Sequence, residues 1–546
     1  MNHAHVKHTT IDRHGISKSP CAIRAAMSDR TVEQIKPGFC NGLLPSCWPP
    51  SRVLGAAPGA GGIDKPQNEP DAAHANEDIP QTGPTGGTTA PILSAMTDAH
   101  ASASRPYDGL ILFDDAGGTL TPLDDLRPRA LIRSGALTTL QRHMAVLGIP
   151  SRGYTGLLVD DARADLCREM LELEHGAVHG ITVNSALSAR TILLVNSRCP
   201  LPWPLLRTLP PGHGLTDDGT GDLVALCVPA ASVHDLMTNL GECPLSDRIL
   251  SLARTLTLDS MPGPALMSRP WHLRHFRDAA IATDLSLVQV DRSVVSALLG
   301  SVVIGHRHLT VAQTAKIGPG CIFDCELGGI HIGEHAVIRP GCTIIGPSII
   351  GAHTTIMDRT VIKANTAIGQ HCKAAGEIGG TIMQGFANKA HEGHLGDSYI
   401  GAFVNLGAGT TNSNLLNTYG DVPMQVLPEG PSERTGQQFM GCIIGDHAKL
   451  AICTRIMTGS IIQTGVMWAA GQAITGTIPA FAWVTDGAPA GSKFFRTDKF
   501  LEIAAAVLAR RKLTAGPAYV AAMMQLCTRE HQPSTGASSA MPRPAR

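Results

Sequence analysis

Apolar positions along this chain follow more than one rhythm. From residue 106 to about 300, "GLILFDD", "TILLVNS" and "LVALCVP" are short unbroken apolar runs, which predict buried strands. Between them, "GALTTLQRHMAVLG" and "ARADLCREMLELEHG" space their apolar residues three and four apart, which predicts helices. Strands alternating with helices imply an α/β domain with a mainly parallel sheet. From about 301 the period becomes six. Ile332, Ile338, Ile344, Ile350, Ile356, Ile362 and Ile368 keep strict register, and Ile444, Leu450, Ile456, Ile462, Trp468 and Ile474 form a second run. Ile400 and Leu406 are a shorter piece of the same pattern. Neither a helix nor a simple strand repeats every six residues; a parallel β-helix does, with one large apolar side chain per side pointing inward. Gly333, Gly351 and Gly369 recur every eighteen residues, as expected of a coil with three sides.

The six-residue phase slips between 368 and 400 and again between 406 and 444. The second slip holds "NSNLLNTYGDVPMQVLPEGPSERTGQQFMG", expected to project from the coil. Beyond the coil, "TDKFLEIAAAVLARRK" and "PAYVAAMMQLCTRE" predict helices, with Thr497 placed to cap the first and Arg510, Arg511 and Lys512 at its C-terminal end. The expected domains are therefore a disordered extension at 1–105, an α/β domain at 106–300, a β-helix at 301–496, helices at 497–530 and a loose tail at 531–546. Met96 is an alternative start just ahead of the first structured segment.

Composition narrows the function classes. Glycine is abundant (58 residues), aromatics are 4% and charged residues 16%, which fits turn-rich β architecture. A net charge of −1 gives no electrostatic case for nucleic acid or an anionic membrane. There is no long apolar run and no secretory leader, so the expected location is the cytoplasm. The 14 cysteines form no CxxC pair. Cys321 and Cys325 are expected to be small buried hydrophobes, not a zinc or disulfide site.

The first phase slip carries "NKAHEGHLGDSYIG", with His391 and His394 three apart. The residues alone leave three readings: a general base, zinc ligands together with a third histidine such as His371, or turn residues of the repeat. His353, His371 and His447 are each expected to be surface or turn residues.

"NKAHEGHLGDSYIGAFVNLGAGTTNSNLLNTYGD" and "GCIIGDHAKLAI" resemble the left-handed β-helix acyltransferases. They resemble above all the acetyltransferase half of the bifunctional N-acetylglucosamine-1-phosphate uridylyltransferase/glucosamine-1-phosphate acetyltransferase family. Residues 106 to about 515 resemble a branch of that group described only as sugar nucleotidyltransferases. The resemblance implies a left-handed coil and a homotrimer. It also implies an acyl transfer from acetyl-CoA, or another acyl-CoA, to a sugar phosphate or nucleotide-sugar. Counting back from Gly396-Asp397 without gaps, the family histidine is His391. Asn405 then matches a sugar-side residue, and Ala408 and Asn414 match acetyl-CoA contacts. The family tyrosine after the asparagine is Leu415 here, with Tyr419 a displaced candidate. Lys389 stands near the family's phosphate-binding lysine at a different spacing. In the N-terminal half, "AGGTLTPLDDLRPRALI" resembles the nucleotidylyltransferase phosphate turn, and there Gly117, Gly118 and Arg127 would face phosphates. The family lysine is Arg129. Ser197-Arg198 stands where active enzymes carry a magnesium-binding aspartate, so the resemblance implies a degenerate nucleotidyltransferase domain, with Mg2+ needed only if that domain is active.

Overall fold

The computed structural model describes residues 105–149, 153–175, 180–238, 243–288, 298, 300–305 and 308–531. The chain divides into two units, Met1–Pro80 and Gln81–Arg546, and every described residue belongs to the second. The expected N-terminal extension and C-terminal tail thus lie outside the described residues, except Arg105 and His531 at their inner edges.

The α/β part is one seven-stranded sheet of β1 (Gly109–Phe113), β2 (Thr155–Leu158), β3 (Ile181–Val183), β4 (Thr191–Asn196), β5 (His213–Thr216), β6 (Leu223–Pro229) and β7 (Thr257–Ser260). Its order is β3-β2-β1-β4-β6-β5-β7. The β3-β2-β1-β4 half is parallel, as the alternation of strands and helices implies. The other half is mixed, because β6 runs antiparallel to both β4 and β5. The link from β5 to β6 explains the difference: a short turn joins antiparallel neighbours, whereas a parallel pair needs a long crossover. Asp217 sets that turn, accepting from the amides of Gly219, Thr220, Ala265 and Leu266. Helix α1 (Thr139–Leu147) opens with a Thr138–Gln141 capping box and closes at Gly148, whose φ of 64° suits glycine. Helices α2 (Asp161–His175) and α3 (His272–Ser286) follow the expected pattern of strands alternating with helices.

From Val302 to Thr485 the chain winds a three-faced solenoid, the parallel β-helix that the six-residue period implies. Face A runs from Lys316–Ile317 to Trp483–Thr485 in nine strands, and face C from Leu309–Val311 to Thr477–Ile478 in nine. Face B runs from Val302–Ile304 to His394–Gly396 in six, continued by Thr411–Asn412 and Arg455–Ile456. All seven isoleucines of the first run are buried in one cluster with those of the second, and the inward positions stack coil upon coil. Gly351 lies so close to the next coil that a Cβ there would sit 2.7 Å from the Gly369 carbonyl carbon, which accounts for the glycines eighteen apart.

The first phase slip is a shortening of the coil. Ile356 pairs with Ala374, eighteen on, but Ala374 pairs with Lys389, only fifteen on. The second slip is an insertion. Contrary to the expected projecting loop, it folds back as a hairpin of Pro423–Gln425 and Ser432–Arg434. It buries Val422, Met424 and Val426 against Ile443, Ile461 and Trp271, because its apolar residues match a groove between coil and α3.

At six successive C-to-A corners one residue takes a left-handed conformation: His335, His353, His371, Phe386, Phe403 and His447 all have φ between 54° and 61°. Their rings stack in order with centroids 4.8, 4.6, 5.2, 5.2 and 5.0 Å apart. The expected turn histidines are therefore one continuous column, and His447 at its top is buried with Nε2 2.9 Å from the Tyr519 hydroxyl. After the coil come α4 (Thr497–Ala509) and α5 (Pro517–His531). Thr497 is not the cap of α4. Arg496 holds that position, and the Thr497 hydroxyl instead lies 3.4 Å from the Cys527 sulfur, because α5 packs there.

Ile368→Ala is expected to lower the unfolding free energy by about 2–5 kcal/mol in denaturant titrations, while Leu327→Ala at an exposed position stays within about 0.5 kcal/mol. Burial lowers His331 and His143 to about 4, so the folded chain keeps them neutral where the unfolded chain protonates near 6.5. Stability is expected to fall as pH drops from 6.5 toward 4, by up to ~1.4 kcal/mol per pH unit for each such histidine. His331→Phe removes one share of that slope in pH-resolved denaturation.

Candidate functional site

The turn 390–393 forms an A-to-B corner between Asn388–Lys389 and His394–Gly396. His391 is exposed on it, and its ring has no hydrogen-bond partner among the described residues. Register places the next coil directly above: Asn388 pairs with Asn405, and the Asn388 amide donates to the Asn405 side-chain oxygen at 3.0 Å. A side chain at Gly393 would collide with the Thr410 carbonyl. The corner holding His391 is therefore stacked beneath the "NLGAGT" corner holding Ala408, and His391, Asn405 and Ala408 come together at one edge of the coil.

Lys389 does not present a cation to that edge. It is 1% exposed and points inward, with Nζ donating to the His391 carbonyl at 2.8 Å and the Glu392 carbonyl at 3.0 Å. Burial lowers it to about 8, against the opposing pull of Glu392. A phosphate outside the coil does not meet this ammonium.

His394 starts the next strand, half-buried, with Nδ1 3.3 Å from Glu377. Glu377 also pairs with Lys363 at 2.5 Å. The Lys363–Glu377–His394 chain was not legible as a motif. Its signal is the shortened coil, which sets Glu377 against His394 across the strand pair. Asn414 lies at the far end of the same face. Its amide donates to Asp397 at 2.8 Å, and Asp397 also takes Arg277 at 2.9 Å and Arg274 at 3.2 Å. Asn414 is thus engaged with α3, away from the corner that holds Ala408. Tyr419 is 68% exposed, its amide and carbonyl both used within the excursion. Neither joins the His391 edge within one chain.

The α/β sheet reverses its strand order between β1 and β4, the place where open sheets of this kind bind ligands. Gly117 and Gly118 follow β1 and do line this crevice, but a protein cation fills it. Arg198, fully buried, pairs with Asp115 at 2.5 Å and Asp222 at 2.7 Å, and a Cβ at Gly117 would lie 2.6 Å from its Nη2. Gly118 packs on the backbone of Ser268. Arg129 sits beside it, donating to the Gly117 carbonyl at 2.6 Å and to Asp124 at 2.8 Å. The residues present do not fit a magnesium ion here, since the guanidinium of Arg198 holds the carboxylates.

Arg127 is a correction to the sequence reading. It lies nowhere near the turn's phosphate-facing side but is fully buried between Glu174 of α2 and Asp446 of the coil. Burial would lower its pKa, but the two carboxylates reverse the shift and raise it. Gln384 completes this junction, with its amide 2.9 Å from the Leu131 carbonyl and 3.1 Å from Glu174. The three histidines of the zinc reading do not converge within one chain either. His371 belongs to the stacked C-to-A column, between His353 and Phe386. No cluster of three or more metal-ligating side chains occurs among the described residues.

No family model matches the chain. The bifunctional protein GlmU of Buchnera aphidicola is 28% identical over 184 residues, covering 30% of this chain and 35% of that protein. The GlmU of a Cyanothece strain is 25% identical over 213 residues, covering 37% and 42%. These segments of the chain are similar to GlmU proteins. The chain as a whole is not assigned to them. It spans about a third of the length of these curated relatives. Among solved structures, a Francisella novicida UDP-N-acetylglucosamine acyltransferase aligns over 40% of this chain and 73% of its own, at 18% identity and a TM-score of 0.25. No helix of the chain is long and apolar enough to cross a membrane, among the described residues.

Arg127→Ala would leave Glu174 and Asp446 buried without their shared cation. It is expected to destabilise by about 3–5 kcal/mol, measured by denaturant unfolding.

Proposed function

We propose that this chain is a CoA-dependent acyltransferase, with acetyl-CoA as the first donor to test, acting on an amino-sugar phosphate or nucleotide-sugar. The observation that carries the reading is the stacking of the His391 corner directly beneath the Ala408 corner, within the segment whose order of residues resembles the GlmU acetyltransferase half. An exposed imidazole at this edge can take a proton from an amine as its nitrogen attacks the thioester carbonyl. The new N–C bond forms, the C–S bond breaks, and CoA thiolate leaves and is protonated. Backbone amides of the 407–410 turn are suited to stabilise the oxyanion, since glycine and alanine let the acyl group approach closely. Asn405 is the sugar-side residue of this reading.

His391 and Ala408 stand on an open edge of a single coil, so a pocket deep enough for two bulky substrates needs walls from elsewhere. A homotrimer supplies them, and Asn414 and Tyr419 would then contribute from a neighbouring copy. The α/β part is read as degenerate for nucleotidyl transfer; the support is Arg198 inside the switch-point crevice. An active bifunctional enzyme, a zinc-dependent hydratase and a non-catalytic sugar-nucleotide scaffold are the competing readings. Nucleotide release from a sugar phosphate, stoichiometric zinc, or binding without turnover would respectively select them.

The deciding experiment is a CoA-release assay with acetyl-CoA and glucosamine 1-phosphate or UDP-linked amino sugars. His391→Ala is expected to lower kcat/KM by about 10²–10⁴-fold with an unchanged unfolding midpoint. Full rate in that variant would end the general-base assignment.

A further inference from the structure

We infer that Lys389 is a positioning residue, holding the turn that carries His391 from inside the coil; this rests on the reading of His391 as the base. The inward column of face A reads Ala374, Lys389, Leu406, Leu450, Trp468 and Val484 through successive strand pairs. Lys389 is the one charged side chain in that column. An amine placed among aliphatic groups is unfavourable unless its donors are met, so its contacts are the reason it can stay.

The full-length corners further along the same solenoid show what the amine replaces. At the A-to-B corners two coils below and two coils above, the residue four past the inward position is a threonine; directly below, the two-residue corner after Ala374 has none, and directly above, Thr410 reaches the Ala451 carbonyl of the next coil at 3.4 Å. Thr360 closes its turn by donating to the Met357 carbonyl at 2.7 Å, and Thr454 does the same to Ala451 at 2.7 Å. In the His391 turn that position is Gly393, with a φ of 116° and no room for a side chain beneath Thr410. The turn has lost its hydroxyl. Its internal donor is Lys389, which reaches up from the inward position to the carbonyls of His391 and Glu392. No carboxylate meets Nζ; Glu392 itself points to solvent and lends only its main-chain oxygen. Two carbonyls need two donors, and a neutral amine still has two. The grip therefore survives the lowered pKa of the buried lysine. The effect on chemistry is indirect: the amine fixes the His391–Glu392 and Glu392–Gly393 peptide planes, and the first of these adjoins the His391 Cα and constrains the direction of its side chain.

Lys389→Met keeps the length and the apolar fill of the column but removes the donors. Three readouts apply: kcat and KM for the acyl donor and acceptor, amide hydrogen exchange of the folded variant, and partial rescue by Lys389→Gln, which can still donate to a carbonyl. The expected result is a roughly 10–100-fold loss of kcat with both KM values within about twofold, as a misdirected base would give. Exchange should quicken by about tenfold or more in 388–396 and stay unchanged in 405–412, and Lys389→Gln should recover part of both. Exchange and kcat within about twofold of the parent protein in Lys389→Met would overturn the inference. Should Lys389→Met not accumulate as folded protein, Lys389→Leu, which also lacks the donors, decides on the same limits. His391→Ala run in parallel separates the two levels. If it keeps full rate, the base assignment fails, while exchange in the Lys389 variants still judges whether the lysine holds the turn.

Discussion

Every coil of this solenoid must repeat the one below it at the spacing of paired strands, close to 4.8 Å. That constraint governs the rest. It demands one inward side chain per six residues, and it makes successive corners superimpose. It also explains the column of rings from His335 to His447, whose centroid separations of 4.6 to 5.2 Å are the strand spacing carried out to the corner. The stacking of the His391 corner under the Ala408 corner has the same origin. A site residue here is placed less by its own contacts than by its index within the coil.

The α/β part meets the coil through a buried network, not a loose surface. Arg127 joins Glu174 to Asp446, Thr464 donates to Asp125 at 2.6 Å, and Arg277 reaches Asp397 at 2.9 Å. Asp397 also holds Asn414, so the second half of the motif block is tied to α3 and not left free beside the first. The sheet thereby reads as a brace for the shortened coils, where the hexad phase is lost and the inward column includes a lysine.

Much of the coil was legible because an isoleucine at an inward position has one physical role, and seven in register leave little ambiguity. Lys389 was misread for the complementary reason. A lysine near a histidine looks like an anion clamp, and nothing local shows that register turns it into the core; only the pairing of Ala374 with Lys389, fifteen residues on, does so. Arg127 failed similarly. "AGGTLTPLDDLRPRALI" is a plausible phosphate turn by its glycines and arginines, but one partner of Arg127 lies 319 residues away. The sequence reading set Arg198 where the resembling enzymes carry a carboxylate, but its pairing with Asp115 and Asp222 depends on how three strand ends converge. The threonine that Gly393 lacks becomes visible only by comparing corners coil by coil.

The brace is unevenly placed. Its ties fall on Gln370, Gln384, Asp397, Asp446 and Thr464, with Ile281 of α3 packed on Ile349 and Ala367, whereas the two opening coils expose Val302, Ile304 and Ile322 along face B. In a stack where each layer leans only on its neighbours, cohesion rises with distance from a free end. This solenoid is consequently polar in its mechanics: it unravels from its first strands, and the layers around His391 are the last to lose their register.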